Sequence, residues 1–562
     1  MPSLSLIQTL PQHIIQRIVH HVTGCSRLRH NGSLYDHNDR PELLTPLLWV
    51  CSNFRHVLYS LYSKQFNIRL FNDPSSGSGG SWTSWPHDLE LVSRPSLSFA
   101  TTLSIVADTR LVYSGDALKM ILNSPLRTAL FPKVRSLICS FIWLPPDWNY
   151  YDPEDVEANI CAFVERVKQV VLMVNKISIR SNEADNMGQL SEDEYFGYLT
   201  SHLYQLASRI SYTADAPFNP MELQLGLIHN LTSLECESNI DSISNIVQVA
   251  RQSAQTLQKL TLAYQLQIDI ADLVQNPGGD YVEYPCLSTL FLDLNTYPSF
   301  PPLSVDSGVV LFPGLKSINV SYDYPFGDDA LFRGNTATLE YLRVAPGPEF
   351  CNVVRRYKVF TPTSHPKLQW VESVRLPIGM ETQFASTESH LRFMLNIAPD
   401  AAVKVIDDIP AGEETFLALN QLSDHTFMQV LNLGSTQLML WEVIHIVKSL
   451  PILSDLVCQS TGLGTYFEDI AVDMLPVYVR GIQVPLRERF RCWRLGDVNS
   501  SSLKETVMCI LVVAMTFSNF SYANLPNSIL HEYMELMKET LESDECVEVA
   551  PRLRRLLFDK TV

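Results

Sequence analysis

The chain has 562 residues, 46% hydrophobic and 18% charged, and its 60 acidic and 42 basic side chains give a formal net charge of −18. That balance argues against nucleic acid or an anionic membrane as the main partner, because both need clustered Lys and Arg. A local basic patch stays compatible with the total; Arg552, Arg554 and Arg555 are its nearest approach in sequence. A chain this long forms about three or four globular domains or one extended repeat array.

The 11 cysteines are odd in number and form no Cys-x-x-Cys, a pattern of free thiols in a reducing compartment. Cys139, Cys458 and Cys509 sit in apolar runs, where Cys acts as a small hydrophobe. Met1 to Leu10 carries neither a basic start nor a long apolar stretch, so no signal peptide is expected, and the cytoplasm or nucleus is the expected compartment. The apolar run Val507 to Met515 is about half the length needed to cross a bilayer and is expected as a buried helix or strand.

In chain order, residues 1–70 read as an amphipathic helical segment. Leu10, Ile14, Ile15, Ile18, Val19 and Val22 recur at three- and four-residue steps, with Thr9 as N-cap, Pro11 in the first turn and Gly24 as the stop. Residues 25–41 are polar and loop-like. A second apolar stretch from Leu43 to Tyr62 includes Leu47, Leu48, Trp49, Val50 and Phe54, read as two helices broken near Pro46. Residues 71–97 contain NDPSSGSGGSWTSWP and read as a Gly/Ser-rich loop or linker.

From residue 98 to 562 a short pattern recurs: apolar-x-x-apolar-x-apolar. It starts at Ala100, Val134, Val167, Ala207, Leu231, Leu257, Leu287, Leu315, Leu339, Val371, Met428, Leu453 and Phe490, with a weaker match near Val403 and Val405. The starts fall about 30 residues apart, close to the spacing of leucine-rich repeats. Alternating apolar residues on a short strand face one core, the rest of each unit returns by a helix or arc, and units must stack to cover one another. Phe131-Pro132, Tyr284-Pro285, Phe312-Pro313 and His365-Pro366 lie just ahead of strands, while Asn175, Asn239 and Asn295 fall where a repeat asparagine would bond adjacent turns. The expected fold class is α/β: an N-terminal helical segment, then an irregular leucine-rich-repeat-like solenoid. Two or three separate α/β domains are the alternative.

The head resembles the F-box family. The residues that carry the resemblance are Leu10-Pro11, Ile14-Ile15, Ile18-Val19 and Leu47-Leu48-Trp49-Val50-Cys51-Ser52-Asn53-Phe54-Arg55. Phe54 stands where the family usually has Trp, and the loop between the halves is longer than usual. With the repeats behind it, the chain resembles F-box/leucine-rich-repeat proteins of a divergent, fungal type. The resemblance implies a substrate-recognition adaptor of a Skp–cullin–F-box ubiquitin ligase. Leu10, Pro11, Ile14, Ile15, Ile18, Leu47, Leu48, Trp49, Val50, Cys51, Phe54 and Arg55 would bind a Skp-family adaptor of the cullin–RING ligase, and the repeats a protein substrate. The alternative is a non-ligase repeat scaffold with a vestigial F-box. The same head residues also suit a helical cap on the first repeat.

No catalytic constellation is expected. The sequence contains no GxxxxGK[ST], GxGxxG, HExxH or GxSxG. His20, His21 and Cys25 lack a second ligand pair, so neither a metal nor any other cofactor is expected. Asp152, Glu154, Asp155 and Glu157 suit a helix N-terminus, and Glu183, Asp185, Glu192, Asp193 and Glu194 a solvated stretch. Trp143, Trp148, Tyr150 and Tyr151 form an aromatic loop suited to recognition or to covering an edge, and residues 295–304 a second loop. Residues 528–545 read as a C-terminal capping helix.

Overall fold

The computed structural model describes residues 65–72, 80–85, 100–123, 130–143, 152–183, 194–214, 230–238, 244–263, 269–293, 302–321, 324–361, 364–374, 387–406, 422, 425, 427–434, 436–458, 460–462, 489–495, 503–517, 519–520, 522–524 and 535. The whole F-box-like set, Leu10, Pro11, Ile14, Ile15, Ile18, Leu47, Leu48, Trp49, Val50, Cys51, Phe54 and Arg55, lies outside them. So do the capping helix of residues 528–545 apart from Glu535, and Asn239 and Asn295. Two compact units divide the chain, Met1–Gln275 and Asn276–Val562.

In the first unit the strands are β1 (Gln65–Asn72), β2 (Gly80–Trp85), β3 (Thr102–Asp108), β4 (Ser136–Trp143), β5 (Lys176–Glu183), β6 (Arg209–Ala214), β7 (Ser233–Ser238) and β8 (Lys259–Ala263). The helices are α1 (Thr109–Tyr113), α2 (Asp116–Leu122), α3 (Pro153–Val170), α4 (Glu194–Tyr204), α5 (Ser244–Gln252) and α6 (Ile270–Val274). β1 and β2 pair antiparallel; from β1 through β3 to β8 every neighbour is parallel and next in line. The second unit holds β9 (Thr289–Leu292), β10 (Ser317–Val320), β11 (Tyr341–Val344), β12 (Trp370–Ser373), β13 (Val403–Ile406), β14 (Val430–Asn432), β16 (Asp455–Cys458), β18 (Cys492–Leu495) and β19 (Tyr522–Asn524), again parallel and in chain order. β15 (Gln437–Met439) and β17 (Ser460–Gly462) form a separate parallel pair, and α7 (Pro348–Tyr357), α8 (Thr387–Asn396), α9 (Leu440–Ser449) and α10 (Leu503–Thr516) lie in the connections. The chain is therefore mixed α/β with parallel strands in both units.

Most steps repeat one backbone device. The carbonyl just ahead of a strand accepts two successive N–H groups from the next turn of chain. Ser288 accepts from Lys316 (2.9 Å) and Ser317 (3.0 Å), Lys316 from Glu340 (2.8 Å) and Tyr341 (3.0 Å), and Glu340 from Gln369 (3.0 Å) and Trp370 (3.2 Å). This ladder locks the register, so the inward positions align strand to strand: Leu290, Ile318, Leu342 and Val371 are all buried. Each such side chain contributes about 1.5–3 kcal/mol by leaving water.

A tight turn leads into most strands. Phe131, Tyr284 and His365 each accept an N–H from the residue three on, with proline second in the turn. Proline presets φ at that position and needs no donor, which is why X-Pro marks strand starts. Ala398-Pro399 and Leu450-Pro451 make the same turn ahead of β13 and β16, two cases the sequence reading did not use. Helix starts follow ordinary capping: Asp152 accepts the Glu154 N–H at 3.1 Å, with Pro153 opening α3.

Most of the expected strands are observed, with corrections. Val167 and Val170 belong to the last turn of α3 and Leu172 is exposed; the strand is β5, with Ile177 and Ile179 inward. The 3.6-residue period of α3 also produced an apolar-x-x-apolar match. Asn175 consequently precedes β5, exposed, with its backbone N–H on the Arg135 carbonyl, and is not a repeat asparagine. In β12 the inward residues are Val371 and Ser373, following Leu368, three residues earlier than expected. In β13 the faces are reversed, with Lys404 and Ile406 inward and Val403 and Val405 half-exposed. A one-residue slip inverts a strand's faces, and the neighbours' register decides it.

The Gly/Ser-rich stretch is not only a linker, because β2 occupies 80–85 and pairs with β1, Ile68 opposite Ser84. Its Trp and Thr residues favour strands, and pairing outweighs the glycines. β1 likewise takes 65–70 out of the expected helical head, with Phe66, Ile68 and Leu70 buried on one face. The apolar run at 507–515 is inside α10, where Val507, Ile510, Leu511, Val512 and Val513 are buried.

Candidate functional site

From β9 to β16 the main-sheet strands of the second unit bury one face. From β9 to β11 the burial alternates between half-buried and buried residues. A parallel sheet covered on both sides reads as apolar throughout; here the second face carries Phe291, Asn319, Tyr341, Arg343, Trp370 and Glu372.

Register brings four of these together. Tyr341 stands opposite Trp370 and Arg343 opposite Glu372. The Tyr341 hydroxyl donates to Glu372 Oε2 at 2.9 Å, and Trp370 Nε1–H donates to the same oxygen at 3.2 Å. Arg343 Nε lies 2.8 Å from Glu372 Oε1 in an ion pair. The two rings sit 5.9 Å apart, tilted by 36°. One carboxylate thus fixes two aromatic rings and a guanidinium, while Trp370 keeps 38% of its surface in water. Burial, then the Glu372 hydrogen bond, pushes the Tyr341 phenol up to about 12, so it stays a donor. Burial raises the Asp293 carboxyl at the end of the same face, and the Arg343 charge partly offsets this. On β13 and β14, Val403 and Val430 extend the row that holds Tyr341 and Trp370.

Chemically this is an aromatic shelf whose two rings and guanidinium are tied to one carboxylate, an arrangement of the type that suits a protein contact. Among the described residues no three His, Cys, Asp or Glu side chains converge as metal ligands. The eight described cysteines are thiols outside any disulfide, and burial drives the Cys139 thiol up to about 12. No described helix is long and apolar enough to cross a membrane.

The F-box-like set, His20, His21, Cys25 and most of the aromatic loop at 143–151 lie outside the described residues. Asp152 caps α3 and Glu154 and Asp155 stand in its first turn, as the charge pattern suggested. The Tyr341–Trp370–Glu372 group was missed because the β12 pattern was set three residues late. His365-Pro366 carried the signal: counting three on to Leu368 sends Val371 inward and Trp370 and Glu372 outward.

No protein-family model matches the chain, and no curated protein matches its sequence.

Proposed function

We propose that this chain is a non-catalytic receptor of the F-box/leucine-rich-repeat kind, working in the cytosol or nucleus. Its F-box-like head docks on a Skp-family adaptor of a cullin–RING ligase, and its strand-bearing turns form a repeat body that holds a protein substrate for ubiquitin transfer. The observation that carries the repeat body is the open strand face. In each unit parallel strands follow one another in chain order without reversal, and in the second unit alternate residues stay half-exposed. A doubly wound sheet would reverse its strand order and cover both faces. The substrate then meets the shelf of Tyr341 and Trp370.

The head is tested by co-purification of the full chain with a recombinant Skp-family adaptor. The wild type binds, and Ile14→Asp with Ile15→Asp abolishes binding; retention by the double variant would sink the assigned surface. The second reading, a scaffold with a vestigial head, draws on Phe54 in place of the family's Trp and on the long loop at 25–41. It expects no adaptor binding even by the wild type. Trp370→Ala separately tests the shelf, lowering capture of a co-purifying substrate by about tenfold while leaving adaptor binding unchanged.

A further inference from the structure

We infer that the face of β5 to β8 that carries Lys176, Arg180, Arg209 and Lys259 binds an acidic, extended segment of a protein partner. This rests on the receptor reading and gives one of its faces a partner chemistry.

Four cations occupy outward positions on these strands: Lys176 and Arg180 on β5, Arg209 on β6 and Lys259 on β8. The parity is set by their neighbours, since Ile177, Ile179, Ile210, Leu260 and Leu262 are buried on the other face. Register aligns three of the cations in one row, Lys176 opposite Arg209, Arg209 opposite Ser233, and Ser233 opposite Lys259. Parallel strands lie about 4.8 Å apart, so the row spans about 15 Å.

Glu235 on β7 is the described counter-charge. Its Oε1 lies 3.0 Å from Lys259 Nζ and 3.7 Å from Lys176 Nζ. Its side chain is only 17% exposed, while those of Lys176 and Lys259 are 39% and 43% exposed. The two ammonium groups thus converge on one less exposed carboxylate oxygen. Among the described residues no carboxylate pairs with Arg180 or Arg209. Glu237 is the next residue of the same parity along β7.

This cationic face belongs to a chain of net charge −18. A long polyanion would meet repulsion beyond the patch and needs a continuous basic track. A short acidic stretch fits within it. An extended peptide presents alternate side chains on one side about 6.8 Å apart, a spacing flexible Lys and Arg tips can follow across the strands. Guanidinium groups add bidentate contacts to carboxylates.

The test measures fluorescence anisotropy of the full chain with three probes: a labelled peptide with Glu at alternate positions among Thr, the same peptide with Lys for Glu, and an oligothymidylate of equal charge. The Glu peptide binds, binding weakens as salt rises, and Arg209→Glu with Lys259→Glu weakens it by about tenfold or more. If the double variant does not fold, by circular dichroism and melting, the exposed single change Arg180→Glu carries the same expectation. The inference is overturned if the Glu peptide fails to bind, if charge reversal leaves its affinity unchanged, or if the Lys peptide or the oligonucleotide binds as well. Adaptor capture on the same preparation separates the two ideas. Capture without peptide binding removes only this inference; peptide binding without capture removes only the ligase role.

Discussion

Lys404 Nζ lies 2.8 Å from the carbonyl oxygen of Ile397, inside the core of the second unit. The amine also donates to the carbonyls of Leu395 and Met394, near the C-terminal end of α8. The last carbonyls of a helix have no partner within it and favour a cation. Lys404 fills the inward position that Val371 and Leu431 hold on the neighbouring strands, and so caps a helix where they pack a core.

Burial lowers the Lys404 amine to about 7, with Asp400 opposing the shift. In the unfolded chain it titrates near the ordinary lysine value of about 10.4. Between those values the unfolded state binds the extra proton, so stability rises with pH from about 7 to about 10.4. Denaturant titrations of wild type and Lys404→Met across this range should show a difference that grows with pH and flattens below about 7. A pH-independent difference would contradict the assignment.

Gly334 sits at φ +78°, ahead of β11, and a methyl there would overlap Val310 Cγ1 and come within 3.4 Å of the Pro313 Cα. Gly334→Ala should cost about 1–3 kcal/mol. Gly279, at φ +87° with nothing within 4 Å, serves as the control and should cost about 1 kcal/mol from strain alone. Chemical denaturation of both variants compares them, and equal losses would remove the packing argument.

Asp328 is buried and accepts the N–H of Val305 at 2.6 Å and of Ala330 at 2.8 Å, with Arg333 Nη2 3.3 Å away. Arg333 in turn donates to the Asp306 carbonyl at 2.8 Å and to Asp329 at 2.7 Å. This network replaces regular structure between β10 and β11. Asp328→Ala strands two N–H groups and a guanidinium, for a loss of about 3 kcal/mol. Asp328→Asn keeps the shape and should lose less. A melting shift smaller for Ala than for Asn would refute the role given to the carboxylate.

Much of this architecture was legible in the residue pattern. The inward triplets Leu257-Leu260-Leu262, Leu287-Leu290-Leu292 and Leu339-Leu342-Val344 are read directly, since alternation on a strand is a local property. The X-Pro turns were equally legible, because proline's fixed φ acts on its immediate neighbours. What went astray was decided at a distance. Val167 and Val170 matched the strand template but lie on α3, and only packing separates a helical stripe from a strand of the same spacing.

The sequence by itself determined the parallel α/β character, the spacing near 30 residues and the apolar set that fills the two units. Tertiary structure alone decided the rest. It drew the Gly/Ser-rich stretch into β2, turned Lys404 inward against Val403 and Val405, and gathered Tyr341, Arg343, Trp370 and Glu372 on one open face. Register is the physical reason: a strand's neighbours choose which of its two faces meets the core, and that choice is made by backbone hydrogen bonds between residues far apart in the chain.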